Sequence, residues 1–439
     1  MKKTPPAEKM RGVEAALYIW ERTLRGGTVS ETLRALAPRI SPEDRTLAAA
    51  LCFALARRLS LWRHLQALYM MPKPSKFSRA AQWAVLMGAA GLTELKNFAP
   101  AVLISSLIDW TKSRDRRGAA VVNAVLRKVL ERAPDELARL EADGGLAAQC
   151  LLCGVPLWIG RRWAEQYGVD EGRRMIAMNG EKAFLSLRLA PRAPDDFAGR
   201  LWAQGVGSFP SPLPGALRID GTALPSSLPG YNEGWFTPQS ESSMMVGRIA
   251  ADFEGTCLLD MCAGRGVKTG QIAALRPDAS LEGWDLSQGR IAAAEREMRR
   301  LGLTGRVTLK SGSSLELIAQ RLPDAILVDA PCSGSGTWRR HPEGAWRLSE
   351  ESLAELSRLQ SQLLARAFAL VRRGGKVIYS TCSLLAEENE EAAARALALS
   401  PGVRPVEVPL PGGVTRKLGS VILPENPWTD GFYAAAFTK

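Results

Sequence analysis

Two cysteines stand where an apolar, β-rich run gives way to a polar loop: Cys332 in VDAPCSGSG and Cys382 in YSTCSLLAEENE. Core cysteines are seldom flanked by short polar loops, although either thiol taken singly is equally consistent with packing. Asp329 ends the run before Cys332, so a carboxylate accompanies the pair. The thiolate is the nucleophilic form of cysteine, and paired thiols beside a carboxylate suggest covalent, nucleophilic chemistry.

A glycine-containing loop follows another β-rich run. In LLDMCAGRGVKTGQIAAL the run ends at Asp260, and Gly264 and Gly266 precede a helical pattern. Glycines let the backbone approach a ligand closely, and a helix N-terminus offers free N–H groups; a tight turn is the simpler alternative. Asp285 ends the next run, where an acid either holds the ribose hydroxyls of an adenosine-bearing cofactor or caps a helix. The Walker-A spacing is missing, so a P-loop is not expected.

From residue 236 onward, short β-rich runs alternate with helical patterns. The alternation predicts an α/β, Rossmann-like domain with a parallel sheet, in which ligands bind at the carboxyl ends of the strands. Cys332 and Cys382 are therefore expected to converge above the sheet. GSVILPE and GFYAAAFTK at the end of the chain suit a terminal hairpin. The predicted strands are TCLLD, LEGWD, VTLK, AILVD and KVIYS.

The first 140 residues contain apolar residues at helical spacing throughout and predict an all-α bundle. One helix start is marked by Ser41 as cap with Pro42 in the first turn. From about 150 to 235 a helical segment, a strand-like AFLSLRLAP and many prolines and glycines predict a small α+β linker domain. The predicted organisation is thus multidomain, with boundaries at 1–140, 150–235 and 236–439.

The charge of the chain is strongly positive. Lysine and arginine outnumber the acids 57 to 45, giving a net charge of +12 and a pI near 9.6. Any one of the recurring Arg-Arg doublets is consistent with ordinary solvated surface. Their number on a basic chain favours a polyanionic binding partner, such as nucleic acid.

Targeting and metal signals are weak. The N-terminus lacks an apolar h-region and no apolar run approaches the roughly 20 residues of a membrane span, so a cytoplasmic protein without membrane contact is expected. Seven cysteines are expected to be free thiols in a reducing compartment. Cys150 and Cys153 form a lone CxxC between apolar residues, which indicates packing rather than zinc. No metal site is predicted.

Three segments carry a family resemblance: DMCAGRGVKT, DAPCSGSGTWRRHPEGAW and STCSLLAEEN. They resemble the signature blocks of S-adenosylmethionine-dependent RNA cytosine-5 methyltransferases, and more narrowly those of the RsmB (Sun/Fmu) type, which act on small-subunit ribosomal RNA. That type has a NusB-like helical RNA-binding domain in front, and ALCFALARRLS and VVNAVLRKVL resemble segments of it. The resemblance covers essentially the whole chain.

The resemblance implies a role for each candidate residue. S-adenosylmethionine would be the cofactor and a cytosine of 16S ribosomal RNA the substrate, in a monomer without an obligate protein partner. Asp285 would hold the ribose, and Asp329 would lie by the cofactor and reach the N3 edge of the base. Cys382 would be the nucleophile and Cys332 would help release the product. Lys268 is also a candidate cation to favour the thiolate. The cofactor loop would consist of Cys262, Ala263, Gly264, Arg265, Gly266, Val267 and Lys268.

Departures from the family pattern keep other functions open. Arg265 and Val267 replace a proline and a glycine, the KSGSS segment lacks the acid usual after the third strand, and Ser240 also stands where an acid is usual. The missing acids favour a ribosome-assembly RNA-binding factor with weak cofactor binding. A cytosine-5 methyltransferase acting on another RNA or on DNA is the other alternative, and in the DNA class the Pro-Cys cysteine is the nucleophile.

Overall fold

The computed structural model describes residues 10–221, 223–319, 321–408 and 410–439. The first nine residues, on which much of the prediction about targeting rests, lie outside the described residues. The chain divides into two compact units: Met1–Glu181 with His341–Arg347, and Lys182–Arg340 with Leu348–Lys439.

The first unit is helical. Its core contains large side chains such as Leu17, Leu51 and Trp62, each at most 1% exposed. The third helix begins as the sequence predicts, because the Ser41 hydroxyl accepts a hydrogen bond from the Asp44 amide at 3.1 Å. The helices are α1 Gly12–Leu24, α2 Val29–Leu36, α3 Pro42–Arg57, α4 Leu59–Tyr69, α5 Arg79–Glu94, α6 Pro100–Lys112, α7 Arg116–Asp143, α8 Leu146–Cys153, α9 Leu157–Tyr167 and α10 Val169–Gly180.

Two features of this unit differ from the sequence pattern. The helical pattern over 42–69 is uninterrupted in the sequence, but α3 and α4 are separate because the backbone leaves the helical region at Arg58 (φ −129°, ψ 39°). A short helix from far along the chain, α15 (Glu343–Arg347), also belongs here. Its Trp346 indole donates to the Ala56 carbonyl at 2.6 Å, and Arg347 donates to the Thr23 carbonyl at 2.7 Å.

The second unit begins with a small antiparallel sheet. Its strands are β1 Ser186–Leu189, β2 Ser208–Pro210, β3 Ala216–Ile219 and β4 Phe236–Pro238, in the order β2-β3-β1-β4, with helix α11 Phe197–Trp202. Leu187, Phe197 and Phe236 are at most 2% exposed and form its core. Helices α8 to α10 lie in the first unit and this sheet lies in the second, so both units share the region 150–235.

A larger sheet forms the rest of the second unit and confirms the α/β prediction. Its strands are β5 Cys257–Asp260, β6 Ser280–Asp285, β7 Val307–Ser311, β8 Ala325–Asp329, β9 Lys376–Thr381, β10 Arg404–Val406, β11 Val414–Thr415, β12 Ser420–Ile422 and β13 Phe432–Thr438. Their order is β11-β12-β13-β9-β8-β5-β6-β7, with β10 beside β13. The run from β9 to β7 is parallel, and β12 and β13 pair antiparallel as the predicted hairpin.

The strand order places a ligand crevice at the carboxyl end of β5. The chain proceeds outward from β5 through β6 to β7, then returns to β8 on the other side of β5. Ligands of such sheets bind where the order reverses, beyond the carboxyl ends of the strands. The remaining helices of this unit are α12 Glu241–Ala251, α13 Val267–Leu275, α14 Gln288–Arg300, α16 Glu350–Leu370 and α17 Glu390–Ala398.

Within the described ranges, no helix has the length and apolar character needed to cross a membrane. The same ranges contain no cluster of three or more His, Cys, Asp or Glu side chains that could hold a metal ion. All seven cysteines are free thiols, and Cys150 of the CxxC is 1% exposed in the helical core.

Candidate active site

The loop after β5 needs its glycines. Gly264 (φ 56°) and Gly266 (φ 79°) both have the left-handed backbone that disfavours other residues. A Cβ at Gly266 would also lie 3.0 Å from the Met298 side chain and 3.1 Å from Ala294, on the packed helix α14. Ala263 ties the loop to β6 through a hydrogen bond from its amide to the Trp284 carbonyl at 2.8 Å. The backbone thus forms a tight cradle that leads directly into α13.

The remaining residues of this predicted loop differ in exposure. Arg265 is exposed at the turn, whereas Cys262 and Val267 are half-buried. Lys268 lies in the first turn of α13 and is 9% exposed, so it is not a surface lysine. The replacement of a family proline by Arg265 therefore falls at the solvent side of the loop.

Asp285 faces the same loop from the end of β6. One carboxylate oxygen accepts a hydrogen bond from the Gly264 amide at 3.1 Å, and the other accepts from the Ser287 amide at 2.8 Å. The side chain that caps α14 is that of Ser287, whose hydroxyl accepts from the Arg290 amide. Asp285 is therefore not the helix cap, and its 7% exposed carboxylate stands against the glycine loop.

The crevice is rich in acidic groups. Asp260 is 1% exposed and is hydrogen-bonded by the Thr269 hydroxyl at 2.7 Å, and burial raises its pKa to about 7. Burial and the charges of Asp260, Asp329 and Asp285 hold the pKa of the Cys262 thiol well above its usual range. Such surroundings suit a positively charged ligand, and S-adenosylmethionine carries a sulfonium and an ammonium group. The residues present therefore fit this cofactor.

Asp329 ends β8 and is held from two sides. One oxygen accepts from the Lys268 ammonium at 2.6 Å, and the other accepts from the Ser380 hydroxyl of β9 at 2.8 Å. The Lys268 ammonium also lies 4.7 Å from the centre of the Phe432 ring. The lysine predicted as a cation for the thiol site thus pairs with Asp329. This carboxylate remains 28% exposed and accessible to a substrate.

The two candidate thiols meet, as the sequence predicts. The Cys332 and Cys382 sulfurs are 3.3 Å apart at the ends of β8 and β9, and both residues are half-buried. The Gly336 amide donates to the Cys382 carbonyl at 2.9 Å, which joins the two loops. The hydrogen bond with Cys382 and burial, together with the charge of Glu388, hold the pKa of Cys332 well above its usual range. Cys332 is consequently a proton-carrying thiol at neutral pH.

Glu388 is the site residue that sequence reasoning missed. It lies within the STCSLLAEEN segment but received no role, although it is fully buried and bonded to the residue after each thiol. The signal in the sequence was an acidic residue two positions after the apolar residues Leu384, Leu385 and Ala386, all of which are buried. A carboxylate is seldom fully buried unless it is paired or multiply hydrogen-bonded.

Two family models match separate parts of the chain. Residues 249–438 match the family model described as 16S rRNA methyltransferase RsmB/F, and residues 15–131 match the NusB family model. The two matches fall on the α/β part and on the helical part of the chain.

Similar proteins extend over nearly the whole chain. Ribosomal RNA small subunit methyltransferase B of Cronobacter sakazakii is 29% identical and that of Salmonella paratyphi B is 28% identical, each over 97% of this chain and 97% of the relative. The crystal structure of PH0851 superposes with a TM-score of 0.82 at 23% identity, covering 100% of this chain and 99% of that one. This structural likeness shows the shared fold. The chain is therefore an S-adenosylmethionine-dependent RNA methyltransferase that is similar to the RsmB/F methyltransferases over residues 249–438 and to the NusB family over residues 15–131.

Proposed function

We propose that the protein methylates carbon 5 of a cytosine in small-subunit ribosomal RNA through a transient bond between Cys382 and carbon 6 of the base. The observation that carries this proposal is the thiol pair, with its sulfurs 3.3 Å apart, beside the carboxylate that ends β8. Cys382 can form the bond to the base, while Cys332 stays protonated and can donate a hydrogen bond to the Cys382 sulfur.

The chemistry follows from the poor nucleophilicity of carbon 5. The Cys382 thiolate adds to carbon 6, so the electron pair of the double bond becomes available at carbon 5. Bound S-adenosylmethionine supplies the electrophilic methyl group. A base, either water or the partly exposed Asp329 carboxylate, then takes the carbon 5 proton. The electrons of that C–H bond restore the double bond as the bond between carbon 6 and the Cys382 sulfur breaks and the thiolate leaves. The target nucleotide must be single-stranded or flipped out, because a stacked base is inaccessible.

Three residues divide the remaining tasks. Asp329, fixed by Lys268 and Ser380, would face the N3 edge of the cytosine, where its carboxylate accepts a hydrogen bond from the neighbouring N4 amino group and from N3 once N3 is protonated. Cys332 would assist product release, because its raised pKa keeps it a thiol whose S–H can donate a hydrogen bond to the departing Cys382 thiolate, 3.3 Å away. Asp285 would hold the two ribose hydroxyls of the cofactor.

The RNA substrate is inferred from the net charge of the chain and from its similarity to known proteins. The net charge of +12 suits a polyanion, the relatives named above are ribosomal RNA methyltransferases, and one matched family model is NusB. We assign RNA binding to residues 1–140, a linker role to 150–235 and methyl transfer to 236–439. The protein is proposed to act as a monomer without an obligate protein partner.

Two cysteine variants test the mechanism. Cys382→Ala should abolish methyl transfer and any covalent RNA adduct, whereas Cys332→Ala should still attack and methylate but release product slowly. A protein–RNA species that survives denaturing gels should accumulate only in Cys332→Ala. Cys257→Ala, at the opposite end of β5, is the matched control and should behave as wild type.

The same two variants, a comparison of RNA with DNA and a cofactor titration distinguish the alternative functions. A DNA-type enzyme would give the reverse pattern, with Cys332→Ala inert and free of adduct, and would prefer DNA in a direct comparison. An assembly factor would show no binding heat with S-adenosylmethionine in calorimetric titration. Full activity in both variants without any adduct would overturn the covalent mechanism.

A further inference from the structure

A single buried carboxylate lies behind the two thiol loops. Glu388 is 0% exposed and ends the short 3-10 turn Ala386–Glu388 after β9. One of its oxygens accepts from the Ser333 amide at 2.8 Å and from the Gln360 side-chain amide at 3.0 Å. The other accepts from the hydroxyls of Ser333 and Ser383, each at 2.5 Å. The carboxylate is thus fully hydrogen-bonded.

This arrangement links both loops to one group. Ser333 directly follows Cys332, and Ser383 directly follows Cys382. Burying a charge is costly unless hydrogen bonds compensate for lost water, so these contacts hold each serine firmly. Asn389 reinforces the second loop, because its amide donates to the Ser383 carbonyl at 3.0 Å.

We propose that Glu388 is a positioning residue that, through Ser333 and Ser383, holds Cys332 and Cys382 at reacting distance and gives the two thiols different roles. The proposal rests on the covalent mechanism proposed above. Glu388 acts through its neighbours, since its carboxylate is enclosed by serines and a glutamine. Groups that hold reacting side chains in place matter because small displacements are costly in rate.

The charge of Glu388 gives a second effect that packing alone would not. The groups that face Cys332 are the Cys382 thiol, the Tyr379 phenol and the Glu388 carboxylate. The hydrogen bond with Cys382, burial and the negative charge of Glu388 all raise the pKa of Cys332. Removing that charge while keeping the shape lowers this pKa.

The first test measures the thiols without RNA. Glu388→Gln and the control Glu355→Gln, an exposed residue of α16, are treated with iodoacetamide from about pH 6 to about pH 10, and alkylation of each cysteine is followed by peptide mass spectrometry. Alkylation of Cys332 should move to lower pH in Glu388→Gln and stay unchanged in the control. An unchanged Cys332 profile in a folded Glu388→Gln protein would overturn the proposal.

The second test measures catalysis. In Glu388→Gln, kcat should fall by roughly tenfold to a hundredfold, the scale of a misplaced reacting group, while KM for RNA and cofactor affinity stay the same. Ser333→Ala/Ser383→Ala cuts both links but keeps the carboxylate, so it tests the same idea if Glu388→Gln does not fold. It should show a similar loss of kcat, and wild-type kcat in this variant would contradict the proposal.

A triple variant shows whether the losses of kcat caused by the Glu388 and serine substitutions have a common origin or arise independently. If Glu388 acts through the serines, adding Glu388→Gln to Ser333→Ala/Ser383→Ala should cost little more in kcat. Fully additive losses would overturn the proposal. Absence of an adduct in Cys332→Ala would instead count against the covalent mechanism, and the alkylation result would still report on Glu388.

Discussion

Three aspartates that end parallel strands have different surroundings. Asp260 is fully enclosed, Asp285 faces backbone amides of the glycine loop, and Asp329 is balanced by a lysine. These surroundings support the proposed roles of Asp285 as a cofactor ligand and Asp329 as a substrate contact, and they leave Asp260 as a buried structural group. Their neighbours rather than their positions at strand ends set these differences.

Asp285 should contribute directly to cofactor binding. Asp285→Ala should weaken S-adenosylmethionine binding by about 1–3 kcal/mol, the usual cost of losing hydrogen bonds to a charged group. Isothermal titration of the full chain measures this. Asp278→Ala is the control, because that side chain is 54% exposed and pairs with Arg276 in a loop. An unchanged dissociation constant for Asp285→Ala would contradict the ribose assignment.

Asp260 should make the stability of the free protein depend on pH near neutrality. Its folded pKa is raised to about 7, so its protonated form favours the folded state. The corresponding stability is complete below the unfolded pKa of about 4 and is lost as the pH rises through about 7. The melting temperature should fall over that range in wild type and much less in Asp260→Asn. Equal slopes in both proteins would exclude Asp260 as the cause.

At the scale of elements, side chains at helix contacts join segments far apart in sequence. Glu136 of α7 contacts His64 of α4 at 2.6 Å and Arg139 at 2.7 Å. The hydrogen bond from Arg139, followed by that from His64, lowers the pKa of Glu136 to about 2 against the opposing effect of burial. Helices of the first unit are thus connected by polar contacts as well as by their apolar core.

Glu136→Gln should destabilise the protein by about 1 kcal/mol at neutral pH, because a hydrogen bond to a charged group contributes about 1.5–3 kcal/mol and solvent around the 58% exposed Arg139 screens part of it. Because the folded pKa is depressed, this stability is present above the unfolded pKa of about 4.3 and disappears as the pH falls through about 2. Urea unfolding at several pH values measures the difference. Glu131→Gln, 72% exposed, should have no effect at any pH.

At the scale of the whole molecule, the chain combines two units with separate cores and has a net charge of +12. The first is a helical bundle and the second contains both sheets, and each matches a different family model. Separate cores allow a polyanion-binding part and a catalytic part in one chain. We therefore expect affinity for RNA to depend mainly on charge and the reaction to depend on a few fixed side chains.

RNA binding by the full chain should weaken steeply with salt. Arg116→Ala/Arg117→Ala removes two exposed charges from the start of α7 and should reduce the slope of log affinity against log salt by about 1.4, since each phosphate contact contributes roughly 0.7 in single strands. Filter binding across a salt series measures the slope. Glu131→Gln should not lower affinity. An affinity independent of salt would contradict charge-driven binding.

The sequence alone determined the order and type of the main elements and the residues at the strand ends. Alternating β-rich and helical runs predicted the parallel sheet, and the Ser41 cap and the left-handed Gly264 and Gly266 are local features. Parallel strands bring their carboxyl ends together, so the meeting of Cys332 and Cys382 also followed from the pattern. These features depend on neighbours along the chain or on one rule of sheet geometry.

Only the tertiary structure decided which side chains act on each other. Lys268 pairs with Asp329 rather than serving as a free cation, and α15 belongs to a unit whose other residues lie far earlier in the chain. The break at Arg58 interrupts a pattern that is continuous in sequence. Glu388 received no role until four donors from three segments were found around it. Such partners depend on how distant segments pack, and the periodicity of a single segment contains no information about the surface that it meets.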